Sequence, residues 1–155
     1  MYYYAVYLLI SAAIRDKFIN DAIMADQGSL HIFSTELSKT VGSLLVCFGV
    51  FLNLWTLSVL GVKGMYNGIN IFYSGDSFGF LMDSIVTTGP FVYLDDPQYI
   101  GTSIASLGAS LYFKSVVGLK LTLIMYSVFR VSAKYVEGPH LKALYDKRIT
   151  RSKTK

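Results

Sequence analysis

Three aspartates, Asp76, Asp95 and Asp96, stand among aromatic residues beside long apolar segments. A carboxylate in such a place can take up a proton or anchor a cationic group. The nearby aromatic residues Tyr66, Phe78, Phe80 and Tyr99 offer ring faces that attract quaternary ammonium groups. Each type also has a plainer use: aspartates build turns, and aromatic side chains gather at membrane surfaces. Glu137 follows another apolar stretch. A carboxylate at membrane depth is costly, so it usually has a functional partner. The following Gly138-Pro139 also reads as an ordinary helix end. His31 and His140 lie far apart and form no local metal motif, so no metal site is expected. Cys47 is the lone cysteine, which rules out an intramolecular disulfide and a zinc-ligand pair; it is expected to pack.

The segments that must position these groups are apolar. Val41 to Val62 is twenty-two residues without a charge, bracketed by Lys39 and Lys63. As a helix it spans roughly 33 Å, enough for a hydrocarbon core of about 30 Å. The whole composition agrees: 53% of residues are hydrophobic and 15% charged, with a mean hydropathy of +0.46, high for a soluble protein. Met1 to Ile14 is apolar but short, and reads as a helix that continues past Arg15 and Asp16 with snorkelling side chains. Asp26 to Lys39 reads as a polar loop, with Ser38 and Thr40 as candidate caps for the long helix.

Gly64 to Asp83 mixes glycine, asparagine and aspartate with aromatics, and suits a loop lining a site at the membrane surface. Gly89-Pro90 and Asp95-Asp96-Pro97 are turn signals. Pro97 to Phe113 and Ser115 to Tyr135 are joined too closely to wander, so they predict an antiparallel helical hairpin. Gly101, Ser103, Ala105, Ser106, Gly108, Ala109 and Ser110 make its first arm thin enough for close helix contact in a bilayer. The predicted fold is all-α: one polytopic membrane domain over residues 1–155, with three to four transmembrane helices including the C-terminal hairpin.

Charge gives the orientation. The segment from His140 onward carries +5, while the whole chain carries +4. A basic tail just after an apolar helix, about residues 146–155, predicts a cytosolic C-terminus. It is short and lacks interleaved aromatics, so a nucleic-acid partner is not expected.

Five pieces, taken in order, resemble the phospholipid methyltransferase family. They are Leu60-Gly61-Val62-Lys63-Gly64-Met65-Tyr66, Gly75-Asp76-Ser77-Phe78-Gly79-Phe80-Leu81, Val86-Thr87 through Pro90-Phe91, Asp96-Pro97-Gln98-Tyr99-Ile100-Gly101-Thr102, and Glu137-Gly138-Pro139 with Ala143-Leu144-Tyr145. The likeness is good from about Val41 to Lys147 and loose before that. Two departures stand out. The family's Gly-x-Gly falls on Cys47-Phe48-Gly49, and its Glu-Glu pair falls on Glu137-Gly138.

The resemblance implies an integral membrane enzyme, in the endoplasmic reticulum, that methylates phosphatidylethanolamine derivatives with S-adenosylmethionine to make phosphatidylcholine. It implies that Cys47, Phe48, Gly49, Glu137 and Gly138 hold the cofactor. Asp76 and Asp96 then become candidate catalytic bases, and Tyr66, Phe78 and Tyr99 candidate contacts for the lipid head group. Two other readings stay open: methylation of another membrane-embedded acceptor such as a prenylated cysteine, and an inactive membrane-resident relative that binds lipid or a partner.

Overall fold

The computed structural model describes residues 2–31, 34–67, 87–137 and 139, and among these every regular element is helical. Helix α1 spans Tyr2–Ala25, α2 Thr35–Asn67, α3 Pro97–Tyr112 and α4 Val116–Ser132. A short 3-10 turn, Gly89–Val92, precedes α3, and a π-helical turn, Ala133–Glu137, extends α4. The hairpin expected from the sequence is α3 and α4. Their connection turns at Lys114, which takes a positive φ of 54°.

The helices pack in the order α2, α3, α4, α1. The α2–α3 contact is the most extensive, and glycine makes it possible. Gly42 and Gly49 lie two helical turns apart on α2, as do Gly101 and Gly108 on α3. The pairs face each other antiparallel: a β-carbon added at Gly49 would sit 2.5 Å from the Gly101 carbonyl oxygen, and one added at Gly108 2.6 Å from the Gly42 carbonyl oxygen. Small residues replace the driving force that water supplies to soluble cores. On its other side α3 meets α4 through hydroxyl groups. Ser106 and Thr122 share a hydrogen bond of 2.8 Å, and a β-carbon added at Gly118 would lie 2.6 Å from the Ser110 hydroxyl oxygen.

Thr35–Gly61 and Val116–Tyr135 are long and apolar enough to cross a membrane, and only 17% and 22% of their most apolar windows are buried. The core helix of a soluble protein would hide most of such a surface. Here Leu44, Phe48 and Phe51 of α2 and Leu123, Ile124 and Val128 of α4 are exposed, which suits lipid. The other two helices differ from the expected full spans. The second half of α1 carries Arg15, Asp16, Lys17 and Asp21, which pair locally as Arg15–Asp16 at 2.8 Å and Lys17–Asp21 at 2.7 Å. α3 has 16 residues, about 24 Å of helix.

Helix α2 starts earlier than the sequence suggested. The Ser34 hydroxyl accepts the Leu37 N–H at 3.3 Å, so Ser34 caps the helix and Thr35 to Lys39 is its first turn and more. The two residues expected as caps lie inside it: Ser38 is buried, and Thr40 donates to the Glu36 carbonyl at 2.9 Å. Near its far end α2 breaks at Gly61, where φ 64° and ψ 174° leave the helical region.

The loop after α1 is a fastening. The Asp26 carboxylate accepts from the Val117 N–H at 2.8 Å and from the Ser29 and Ser115 hydroxyls at 2.7 and 2.9 Å. Ser29 in turn accepts the Val116 N–H at 2.9 Å, and Ser115 accepts the Gly118 N–H at 2.9 Å. Three N–H groups at the start of α4, which no helical carbonyl can reach, are thus satisfied. Gly28 and Leu30 add backbone bonds to the Phe113 and Lys114 carbonyls. The Val117 N–H, followed by the Ser29 and Ser115 hydroxyls, holds the Asp26 carboxyl below its ordinary value. A depressed folded pKa stabilises the fold above the unfolded carboxylate value, about 3.9, and that contribution disappears as pH falls through the lower folded value. Asp26→Asn should therefore lower the thermal stability of the detergent-solubilised protein at neutral pH. The gap from wild type should narrow on acidification below about pH 4. A gap that stays constant to pH 2 would contradict this role.

Candidate functional site at the helix ends

Where α3 begins and α4 ends, charged and aromatic side chains come together. Asp96 precedes α3, and its carboxylate lies 3.7 Å from the Arg130 guanidinium in the last turn of α4. Arg130 is half exposed, so the pair is reachable from solvent or from lipid head groups. One residue earlier on α4, Phe129 stacks on Tyr99: ring centroids are 4.6 Å apart and planes 18° from parallel. The Arg15 guanidinium of α1 sits 5.4 Å from the Phe129 ring centre. A cation over an aromatic face is attracted by the ring's quadrupole. The cluster thus combines the Asp96–Arg130 pair, the Arg15 cation with its Asp16 partner, and a two-ring stack.

Local sequence explains the arrangement. Pro97 at the first position of α3 pre-sets its helical φ and has no N–H to satisfy. Pro90, fully buried, fixes the 3-10 turn before it. Gly89 has φ 62°, and its α-carbon lies against Val59: an added β-carbon would come 2.6 Å from that side chain. The segment leading into α3 is therefore held to the far part of α2, near the Gly61 break. Among the described residues, an added β-carbon at Gly61 would meet nothing within 4 Å.

The π-helical turn that follows α4 carries the backbone of Glu137. Such turns insert an extra residue into the helical register and recur at functional sites. The Glu137 side chain and Gly138 lie outside the described residues, as do Asp76, Phe78, Phe80 and the side chain of Tyr66.

The proposed cofactor triplet on α2 sits one to two turns deeper. Cys47 is exposed and Phe48 is 53% exposed. Gly49 is buried, and its missing side chain makes room for α3: the Gly101 carbonyl and the Ala105 nitrogen fill the space. One turn on, Asn53 donates to the Thr102 hydroxyl at 3.3 Å across the same interface. The structure thus brings Asp96 and Tyr99 together and gives Gly49 to helix packing. It also adds residues not singled out from the sequence, namely Arg130, Phe129 and Arg15. Arg130 had a readable signal, since a cation in an apolar helix needs a partner. The stack on Phe129 had none.

A profile of the phospholipid methyltransferase family matches residues 37–148. The chain belongs to that family. Among curated phospholipid methyltransferases, it is 49% identical over 148 residues to phosphatidylethanolamine N-methyltransferase B of Dictyostelium discoideum, covering 96% of this chain and 70% of that protein. It is 32% identical over 154 residues to phosphatidyl-N-methylethanolamine N-methyltransferase of Schizosaccharomyces pombe, covering 99% and 74% respectively. Against phosphatidylethanolamine N-methyltransferase of Rattus norvegicus the identity is 30% over 144 residues, covering 93% and 68%. No solved structure matches. The phospholipid methyltransferase match begins in the first turn of α2 and includes the hairpin and the charged cluster; α1, with Arg15, precedes it.

Proposed function

We propose that this chain transfers methyl groups from S-adenosylmethionine to the amine of phosphatidylethanolamine and its mono- and dimethyl forms, towards phosphatidylcholine. The observation that carries this reading is the extent of the family match. It runs through both candidate spanning helices and through Asp96, Tyr99, Phe129 and Arg130 at the helix ends, which supports reading them as parts of one methyltransferase unit.

When bound, S-adenosylmethionine supplies a methyl group on a positively charged sulfur. The helix ends suit such a donor. Glu137 offers a carboxylate for its positive groups. Gly61 carries no side chain to keep a ligand from the backbone. Deeper on α2, Gly49 is occupied by α3, while Cys47 and Phe48 turn outward; in this reading their turn shapes the bundle. The acceptor amine must be neutral to attack, so a carboxylate must take its proton. Asp96 and Asp76 are the candidates. Tyr99, with Tyr66 and Phe78, offers ring faces to a head group that gains methyl groups and charge. Holding amine and donor in line supplies a large share of the rate enhancement.

Supplying labelled S-adenosylmethionine to membranes containing the chain, and separating lipid products by methylation state, tests the reading. Label is expected in monomethyl, dimethyl and trimethyl head groups. Label in prenylated protein and none in phospholipid would overturn it.

We place the protein in the endoplasmic reticulum membrane with its C-terminus in the cytosol. The support is the basic tail, residues 146–155, which continues from the α4 end of the molecule. That end also carries the Asp96–Arg130 cluster, so the site would face the compartment that holds water-soluble cofactor. Ser152→Cys should react with an impermeant thiol reagent from the cytosolic side of sealed vesicles. Labelling only after the lumen is opened would reverse the assignment.

A further inference from the structure

Between α3 and α4 lies a cleft of about 280 Å³. Its walls are Ile100, Ile104 and Leu107 from α3 and Leu119, Leu123 and Tyr126 from α4. Two hydroxyl residues also line it, but their hydrogen bonds are directed elsewhere: Ser103 donates to the Tyr99 carbonyl at 2.8 Å, and Thr122 pairs with Ser106 at 2.8 Å. The cleft is therefore apolar, and its α4 wall belongs to a helix with exposed apolar side chains such as Leu123, Ile124 and Val128. Its volume lies just below the roughly 300–1,000 Å³ range of pockets that enclose whole small ligands. It suits one extended hydrocarbon chain lying between the helices.

The register of the two helices links this cleft to the charged pair. Asp96 comes four residues before Ile100 and eleven before Leu107. Arg130 comes four residues after Tyr126, seven after Leu123 and eleven after Leu119. These spacings repeat on one helical face. The Asp96–Arg130 pair thus crowns the same stripes that wall the cleft, one helical turn or about 6 Å above its upper edge. A hydrocarbon slot ending beneath a paired anion and cation has the charge pattern of an amine-bearing zwitterionic phospholipid.

We infer that this cleft holds an acyl chain of the substrate phospholipid, with its phosphate at Arg130 and its amine end at Asp96. The identity of the head group rests on the methyltransferase reading; the slot and the charged pair do not. At 3.7 Å the Asp96–Arg130 pair is loose. An incoming zwitterion offers the guanidinium a phosphate and the carboxylate an ammonium. Arginine suits the first because its planar fork matches a phosphate. With the lipid so held, the amine lies at the level of the helix ends and the chain below it.

The test uses the full chain in vesicles with a phosphatidylethanolamine that carries a photoreactive diazirine in its acyl chain. After irradiation, labelled peptides are mapped by mass spectrometry. Label is expected on the Ile100–Leu107 and Leu119–Tyr126 segments, suppressed by excess phosphatidyl-N-methylethanolamine and not by phosphatidylglycerol. Label spread evenly over the lipid-exposed faces, or not suppressed, would mark ordinary surrounding lipid and overturn the inference. In the activity assay, Leu107→Trp should fill the slot and raise the KM for lipid several-fold, with cofactor affinity unchanged. Arg130→Gln should raise it by about tenfold or more, and Arg130→Lys should recover part of the loss. Unchanged lipid KM in both folded variants would also overturn the inference. Competed labelling by a protein that transfers no methyl group would sink the enzymatic reading and leave the lipid site. Active protein without competed labelling would do the reverse.

Discussion

Gly49→Ala should loosen the bundle more than a substitution on the exposed face of α2. The new β-carbon would stand 2.5 Å from the Gly101 carbonyl oxygen and 2.6 Å from the Ala105 nitrogen. Both are backbone atoms of a helix, so neither can swing aside as a flexible side-chain tip would. Either α3 moves away as a body or the contact stays strained. Overpacking of this kind costs about 1–3 kcal/mol. At about 2–4 °C per kcal/mol for a chain of this size, the melting temperature in detergent should fall by several degrees. Cys47→Ala is the matched control. It lies on the same helix, is exposed, and should change stability by no more than about 0.5 kcal/mol. Equal, small effects of the two substitutions would show that α2 and α3 do not meet at Gly49.

Glu137→Ala should have the largest effect on activity. In the proposed site this carboxylate faces the positive groups of S-adenosylmethionine. Stranding a charge by removing its partner in a low-dielectric site costs about 3–5 kcal/mol, which in rate terms exceeds a hundredfold. The expected result is a large loss of cofactor affinity and of methyl transfer, with thermal stability near that of wild type. A folded Glu137→Ala protein with normal cofactor affinity would remove Glu137 from the site. Gly138→Glu asks the complementary question, because it restores the second acid of the family's pair. Two adjacent carboxylates raise the pKa of one of them, so the gain in attraction is partly offset. Activity should change by less than about a hundredfold, or roughly 2.7 kcal/mol. Should wild type prove inert and Gly138→Glu become strongly active, the natural chain would be a disabled relative that binds lipid without methylating it.

Much of the architecture was readable from residue patterns because the bilayer imposes simple rules. An uncharged run from Val41 to Val62 has few alternatives to a helix, and the small residues between Gly101 and Ser110 announced close packing. The start of α2 was misplaced because Ser34, Ser38 and Thr40 are all chemically able to cap. Only tertiary structure shows that Ser38 is buried and Thr40 bonds within the helix. The stretch from Asp26 was read as a plain loop for a related reason. A carboxylate that caps a helix some ninety residues away leaves no local trace. At the site, Asp96 and Tyr99 were legible as candidates because both flank the turn before Pro97. Arg130, a cation in an apolar helix, announced the need for a partner, but which partner it takes, and the Phe129 stack, depend on a register across the hairpin that residue types alone do not reveal. Gly49 shows the opposite difficulty. One residue type serves both close ligand approach and close helix approach, and the structure shows α3 against it.

The Asp26 fastening bears on how the protein is made. Apart from the neighbouring Ser29 hydroxyl, its donors are the Ser115 hydroxyl and the Val117 amide, so when α1 and the loop emerge during synthesis the long-range part of the fastening has nothing to hold. It must wait for α4. The Ser106–Thr122 bond between α3 and α4 waits in the same way, while Ser110 can already donate to the Ser106 carbonyl within α3. A nascent chain halted before Val116 would therefore hold the Asp26 carboxylate by only part of its donors and leave Ser106 without its partner on α4.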